Sequence, residues 1–378
     1  MYKKLIIIII FVFILLPFNV FGEELIPNST SGILMEASTG KIIYEKDKDK
    51  EVSIASMTKM VAQILIMEEI EKGNIKWSDK VIVSENAASM GGSQIYLSPG
   101  EEITIDDLMK GISVASGNDA TVAMAEVIAG SEEKFVNLMN KKVKSLGLKH
   151  TNFKNCTGLD EEGHYSTAYD QAVIARYLIN NHSKILEYSS IYEDYLRDNT
   201  FWLVNTNKLI RFYDGADGLK TGHTDNAGYC LAATAKRNDL RLIAIVLGEK
   251  DSKVRNSETM SLLDYGFNTL KVNILKNKGE VVKKVKLDKA NKEIVQVVLK
   301  NNLVVISDSI DKKKYNYRVS INDLKLPLKK GKTVGTIEAI DNNKVISSSD
   351  LTVIEDIKKI SFLDLYKKSI NDIIIGIY

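Results

Sequence analysis

The segment spanning residues 56–72 constrains this chain more than any other. Its apolar residues Met60, Val61, Ile64, Leu65, Met67 and Ile70 fall on nearly every side of a helix, and Gly73-Asn74 supplies the stop. A helix with one apolar stripe can lie on a surface, but one that is apolar nearly all round must be enclosed. The fold therefore needs layers around it, and the neighbouring segments supply them. Residues 32–44 carry two apolar runs, Ile33-Leu34-Met35 and Ile42-Ile43-Tyr44, split by Ser38-Thr39-Gly40, the chemistry of a hairpin turn. Three-to-four spacing predicts helices over 105–113, 119–128, 132–145 and 167–179. Residues 228–235 and 240–247 form a second hairpin around Lys236-Arg237-Asn238-Asp239, and a last helix covers about 255–270. With strands first and last and helices between, the expected class is α+β, an antiparallel sheet built from both ends of the domain.

At 378 residues the chain exceeds one small domain, and roughly 100–200 residues per domain imply two folded units. The composition changes at Lys271, where short valine- and isoleucine-rich runs alternate with Lys-, Asn- and Gly-rich turns, as in a small all-β unit. The N-terminus has Lys3 and Lys4, an unbroken apolar stretch from Leu5 to Leu16, Pro17, and small Gly22 before Glu23, the pattern of a cleavable secretory signal. No cysteine lies there, so lipoprotein processing is excluded. At the other end Leu363, Tyr366, Ile370, Ile373, Ile374 and Ile377 share one helical face, with Asp364, Lys367, Lys368, Asn371 and Asp372 largely elsewhere. Such a helix is too short and polar to span a bilayer and suits one lying in its surface. The domain plan is thus a signal peptide (1–22), a main unit (23–270), a β-rich unit (271–355) and an amphipathic anchor helix (356–378). This places the mature protein outside the cytoplasm, secreted and held at the outer face of the cytoplasmic membrane. Lys plus Arg (51) nearly balance Asp plus Glu (49), which leaves no basic stripe for nucleic acid. Cys156 and Cys230 are too few for a disulfide framework; each is expected reduced in the core, with a bridge between them left open.

Three motifs carry chemistry, in order: Ser56-Met57-Thr58-Lys59, Ser116-Gly117-Asn118 and Lys220-Thr221-Gly222. Ser56 at the first turn of the enclosed helix and Lys59 one turn on share a face. A serine hydroxyl is a poor nucleophile until a base takes its proton, and a lysine becomes a base only where burial or a second cation disfavours its charge. The apolar helix supplies the burial, and Lys220 is expected to supply the second cation. Lys220 to His223 precede the strand that begins at Gly228, so they belong on or beside an edge strand facing Ser56. There Gly222 lets backbone approach a ligand, and Lys and Thr suit the carboxylate end of an extended peptide. The helix N-terminus also favours the negative charge of a tetrahedral intermediate. His150, His164, His182 and His223 show no metal-ligand spacing, so neither metal nor cofactor is expected.

The motif set resembles that of the serine penicillin-recognising enzymes, and within them the low-molecular-mass D-alanyl-D-alanine carboxypeptidases, with the sporulation-linked Bacillus and Clostridium branch the nearest likeness. The likeness extends through Ala87 to Ser93, Gly158-Leu159-Asp160 with His164, and Asp217 to Thr224, and covers most of residues 25–270. It implies a β-lactamase/transpeptidase-like domain with a stalk and an anchor behind it. It further implies removal of the terminal D-alanine from peptidoglycan stems ending in D-Ala-D-Ala, with β-lactam antibiotics as covalent inhibitors. By the resemblance Ser56 is acylated, Lys59 is general base, Ser116 relays a proton, Asn118 holds the substrate amide, and Lys220 with Thr221 binds the terminal carboxylate. The backbone N–H groups of Ser56 and His223, beside Gly222, form the oxyanion hole, and Arg255 orients the carboxylate. The sequence departs from some relatives at Asn205-Thr206-Asn207, where they carry Arg between the two Asn. His164 and Asp170 are read as capping or loop-tethering residues. Three other readings share the motifs: a D-alanyl endopeptidase, a class A-like β-lactamase and a non-catalytic wall-binding protein. Against the second, no Glu-x-x-Leu-Asn lies between Ser116 and Lys220, and Glu161 and Glu162 lack its flanking pattern.

Overall fold

The protein is described here by a computed structural model covering residues 24–308, 313–361 and 370. The signal peptide expected over 1–22 lies outside the described residues, as does the tail helix from residue 362 onward apart from residue 370. Among the described residues no helix is long and apolar enough to cross a membrane.

Both hairpins anticipated from the sequence join one sheet. Ser31–Glu36 (β1) and Ile42–Lys46 (β2) pair with each other, and β1 lies against Leu240–Glu249 (β5), itself paired with Gly228–Arg237 (β4). Ala216–Thr224 (β3) forms the far edge, giving the antiparallel order β2-β1-β5-β4-β3. Alternation along these strands feeds two cores. Ile33, Met35, Ile243, Ile245 and Ala232 face the helical layer, while Leu34, Leu242, Ala244, Val246 and Leu231 face Ser252–Thr269 (α5) through Leu262 and Leu263. Both faces are covered, which is why the inner strands read as nearly continuous apolar runs.

The helical layer closes around Lys59–Lys72 (α1). Every residue from Lys59 to Met67 is buried, against Asn118–Ala129 (α2), Glu132–Ser145 (α3) and Ala168–Asn181 (α4). The helix ends at Gly73 in the left-handed conformation, and Ser131 and Thr167 cap α3 and α4 with their side chains. Two local geometries differ from the expectation. Residues Ala55–Thr58 form a 3₁₀ turn ahead of α1, and the helix starting at Ile105 passes at Gly111 into a π-helical turn, Gly111–Ala115.

The β-rich unit is a five-stranded antiparallel sheet in the order Val281–Lys286, Ile294–Leu299, Lys344–Val353, Gly335–Asp341, Asn316–Ile321, over its own apolar core. A separate pair, Lys271–Lys276 with Leu303–Ser307, sits beside the main unit, and Ile306 enters the cluster of Leu262, Leu263 and Leu270. The anchor helix expected from residue 356 needs correction at its start. Ile357 is buried and exchanges backbone hydrogen bonds with Leu328, and Ile360 N–H donates to Lys289 O, so this stretch is extended and belongs to the β unit. Cys156 and Cys230 are free and buried, with no bridge between them.

Candidate active site

The 3₁₀ turn presents Ser56 at the junction of the two layers. Ala55 holds φ at 48°, a left-handed conformation rarely tolerated outside glycine. Two backbone segments press on this turn, each through a glycine. A Cβ on Gly158 would fall 2.0 Å from Ala55 O, and one on Gly222 of β3 would fall 2.5 Å from Ile54 O and 3.3 Å from Ser56 N. Edge strand and loop thus close on Ser56 at a distance that side chains forbid.

Beneath Ser56 lies Lys59, wholly enclosed. Its Nζ is 2.7 Å from Ser56 Oγ, 2.6 Å from Asn118 Oδ1 and 2.8 Å from Thr157 O. Burial lowers its pKa to about 7, against smaller opposing pulls from Cys156 and Asp119. Three oxygens and no carboxylate therefore surround the amine, so its neutral form is accessible near neutral pH.

Ser116 caps the π turn in the left-handed region, φ 64°, and accepts a hydrogen bond from Lys220 Nζ at 2.8 Å. Lys220, also buried, donates to Thr221 O at 3.0 Å. Its pKa is held well below the usual lysine range, first by burial and then by the positive charges of Lys59 and Arg255. The expected cation–cation effect thus falls on Lys220, whereas Lys59 owes its shift to burial.

Asn118, expected to hold the substrate amide, links Lys59 to the neighbouring loop. Its Oδ1 accepts from Lys59, and its Nδ2 donates to Gly91 O at 2.6 Å, while its backbone N–H donates to Ser93 O. The side chain orders Lys59 and the 91–93 loop. Asp119, next to Asn118, secures the following residues by accepting from Ile95 N and Leu97 N, and also accepts from Ala120 N in its own helix.

An open cleft of about 450 Å³ gathers Ser56, Ser116, Thr221, Gly222, His223 and Arg255, with Thr206 and Asn256 in its wall. Lys59, Asn118 and Lys220 lie just below, so all nine residues singled out from the sequence converge. His223 stacks on Tyr229 with ring centroids 4.0 Å apart. Arg255, 5% exposed, makes its side-chain bonds to Asn256 Oδ1, from Nε at 3.1 Å and Nη2 at 2.8 Å, and has no ion pair among the described residues. Burial depresses its pKa. A buried cation without a counter-ion is costly, and here it faces an open cleft, which marks a place for an anion. No carboxylate among the described residues lines the cleft; Glu161 and Glu162 line a separate cavity.

His164 and Asp170 tether, as the sequence suggested. His164 Nδ1 accepts from Lys154 N and its Nε2 lies 2.8 Å from Thr58 Oγ1, with burial lowering its pKa to about 4. Asp170 accepts from Thr151 Oγ1 and His150 N. Sequence reasoning missed Thr157 and Asn256. The first acts through a backbone carbonyl, which leaves no trace in residue type, and the second is visible only once α5 is seen at the cleft.

Comparison with known proteins identifies the family. The D-alanyl-D-alanine carboxypeptidase family model matches residues 23–251, and the model for the C-terminal domain of penicillin-binding protein 5 matches 271–359. The chain is 46% identical over 358 residues to the D-alanyl-D-alanine carboxypeptidase DacF of Bacillus subtilis, covering 93% of this chain and 91% of that one. Penicillin-binding protein 5 from Haemophilus influenzae superposes with a TM-score of 0.67 at 30% identity, over 88% of this chain and 98% of that one. Penicillin-binding protein D2 from Listeria monocytogenes, solved in an ampicillin-bound form, superposes with a TM-score of 0.59 at 30% identity, over 64% of this chain and 98% of that one.

Proposed function

The chain belongs to the D-alanyl-D-alanine carboxypeptidase family of penicillin-binding serine peptidases, and from that premise we propose that its cleft removes the terminal D-alanine of a peptidoglycan stem through an ester on Ser56. The observation that carries the division of labour is the contact of 2.7 Å between Lys59 Nζ and Ser56 Oγ, with the amine poised near pH 7. Neutral Lys59 takes the hydroxyl proton as Oγ attacks the penultimate D-alanine carbonyl. The oxyanion forms toward the N–H groups of Ser56 and His223, a reading supported by the close approach of Gly222, next to His223, to Ser56 N. Collapse breaks the peptide bond; Ser116 gives the departing amine its proton and is resupplied from Lys220. Lys59 then releases to solvent the proton it took from Ser56, Lys220 regains one from solvent, and neutral Lys59 deprotonates the water that attacks the ester, passing that proton to Ser56 Oγ as the acyl group leaves. Lys220, Thr221 and Arg255 receive the terminal carboxylate, the anion that Arg255 lacks.

A β-lactam enters the same path, as the ampicillin-bound Listeria relative illustrates, but its leaving amine stays tethered to the acyl group. The absence of a carboxylate from the described cleft wall favours a carboxypeptidase over a class A-like β-lactamase, whose acidic residue activates the deacylating water. Intact-mass measurement after penicillin treatment should give one adduct per chain, absent in Ser56→Ala; an adduct surviving in that variant would move the nucleophile. Side-by-side digestion of pentapeptide and crosslinked muropeptides should favour the pentapeptide, whereas preference for the crosslink would make the enzyme an endopeptidase.

A further inference from the structure

We propose that Thr206 is a specificity-determining residue for the substrate's terminal carboxylate, acting with Thr221 as a pair of hydroxyls that reverses direction when the anion binds. The inference rests on the reading of the cleft given above and concerns the position where some relatives carry Arg.

Thr206 is held with unusual care. Its neighbours Asn205 and Asn207 are 2% and 1% exposed. Asn205 Nδ2 donates to Ser189 O and Ile191 O, and Asn207 Nδ2 donates to Gly218 O on β3. Asn205 Oδ1 accepts from Asn207 N, and Asn207 Oδ1 accepts from Leu209 N, which closes the loop on itself. Thr206 N–H donates to Val114 O, two residues before Ser116. These bonds fix the segment against the π turn and the edge strand together. What they present is one hydroxyl, in the cleft wall, 2.7 Å from Thr221 Oγ1.

In the free enzyme Thr221 donates to Thr206. A carboxylate can only accept, so Thr221 must turn its single proton toward the incoming anion. Its oxygen, in a group 6% exposed, then needs a donor, and Thr206 is the hydroxyl in place to supply one. Each threonine stays satisfied in both states, and the hydrogen bond to the anion is strengthened by the one behind it. Charge is supplied separately by Arg255, braced by Asn256, and Lys220 adds hydrogen-bond donors from below. A neutral residue therefore suffices at 206, beside a cleft already crowded with cations.

The test compares an N-acylated Lys-D-Ala-D-Ala peptide with the same peptide ending in a carboxamide. Wild-type enzyme should strongly favour the free acid. Thr206→Val, nearly isosteric, should lower kcat/KM on the free acid about tenfold, mainly through KM, and lower that on the carboxamide by much less. Thr206→Ser, which keeps the hydroxyl, should behave as wild type and guards against a folding artefact. If Thr206→Val slows both peptides equally or neither, Thr206 has no part in carboxylate recognition. If wild-type enzyme shows no preference for the acid, the carboxylate reading itself fails and this inference falls with it.

Discussion

In the proposed mechanism Lys59 is the residue on which the chemistry turns, and its setting makes a claim about pH. An enclosed amine loses the hydration that favours its charge, and three uncharged oxygens do not restore it, so its pKa drops from 10.5 to about 7. The direction is lowered, and the active form of a base is the deprotonated one. Acylation should therefore rise with pH, follow a single ionisation near 7, and level off above it. Stopped-flow rates of acyl-enzyme formation with a penicillin, measured from about pH 5.5 to about pH 9, give the profile. Lys59→Arg keeps the charge but cannot release its proton. It should fold and acylate about 10²–10⁴-fold more slowly. A profile flat across neutrality, or rapid acylation by the arginine variant, would hand the base role to another group, with Lys220 next in line.

At the scale of elements, the active site depends on a turn that the surrounding backbone keeps strained. The left-handed Ala55 in the 3₁₀ turn is stable only because β3 and the loop at Gly158 close over it. Gly158→Ala places a methyl group 2.0 Å from Ala55 O, so the loop must retreat, taking Thr157 O away from Lys59. Gly147→Ala is the matched control, because Gly147 has nearly the same positive φ but open space around it. The control should lose about 1 kcal/mol, for backbone strain alone. Gly158→Ala should lose about 1–3 kcal/mol more, together with penicillin labelling, as read by urea unfolding and intact mass. Equal behaviour of the two variants would mean the turn tolerates the loop's movement. The same element explains what the sequence disclosed and what it concealed. An all-round apolar period announces α1 because every side is buried locally along the chain, and Lys220-Thr221-Gly222 announces an edge strand because the next hairpin follows at once. The π turn left no sign, since the helical spacing from Ile105 simply continues into it. The strand Gly335–Asp341 was hidden for a different reason: Gly335 and Ala339 take buried positions beside Ile337, and small residues blur an alternation that larger ones make plain.

For the whole molecule the open matter is how the two folded units are held at their site of action, and the chain's end offers the test. The β unit is joined to the catalytic unit through Ile306, the bond from Asn302 Nδ2 to Asp239, and the exposed pair of Lys41 and Asp308. These contacts seat the β unit against the catalytic unit. We propose that the residues beyond the β unit, whose sequence pattern sets Leu363, Tyr366, Ile370, Ile373, Ile374 and Ile377 on one helical face beside Lys367 and Lys368, lie in an anionic membrane surface. Two truncations separate anchoring from folding, because Ile357 is a core residue of the β unit and residues beyond 361 fall outside its described contacts. Ending the chain at Ser361 keeps Ile357 and its paired bonds with Leu328. That protein should melt as the full chain does, bind penicillin, and no longer sediment with vesicles containing anionic lipid. Ending it at Glu355 removes Ile357 as well, leaving a vacancy that should cost the β unit about 2–5 kcal/mol. Penicillin labelling should survive there too, since Ser56 and its partners lie in the catalytic unit. If the chain ending at Ser361 still sediments with vesicles, the tail is no tether. If it melts early or loses penicillin binding, those last residues pack on the protein rather than on the membrane.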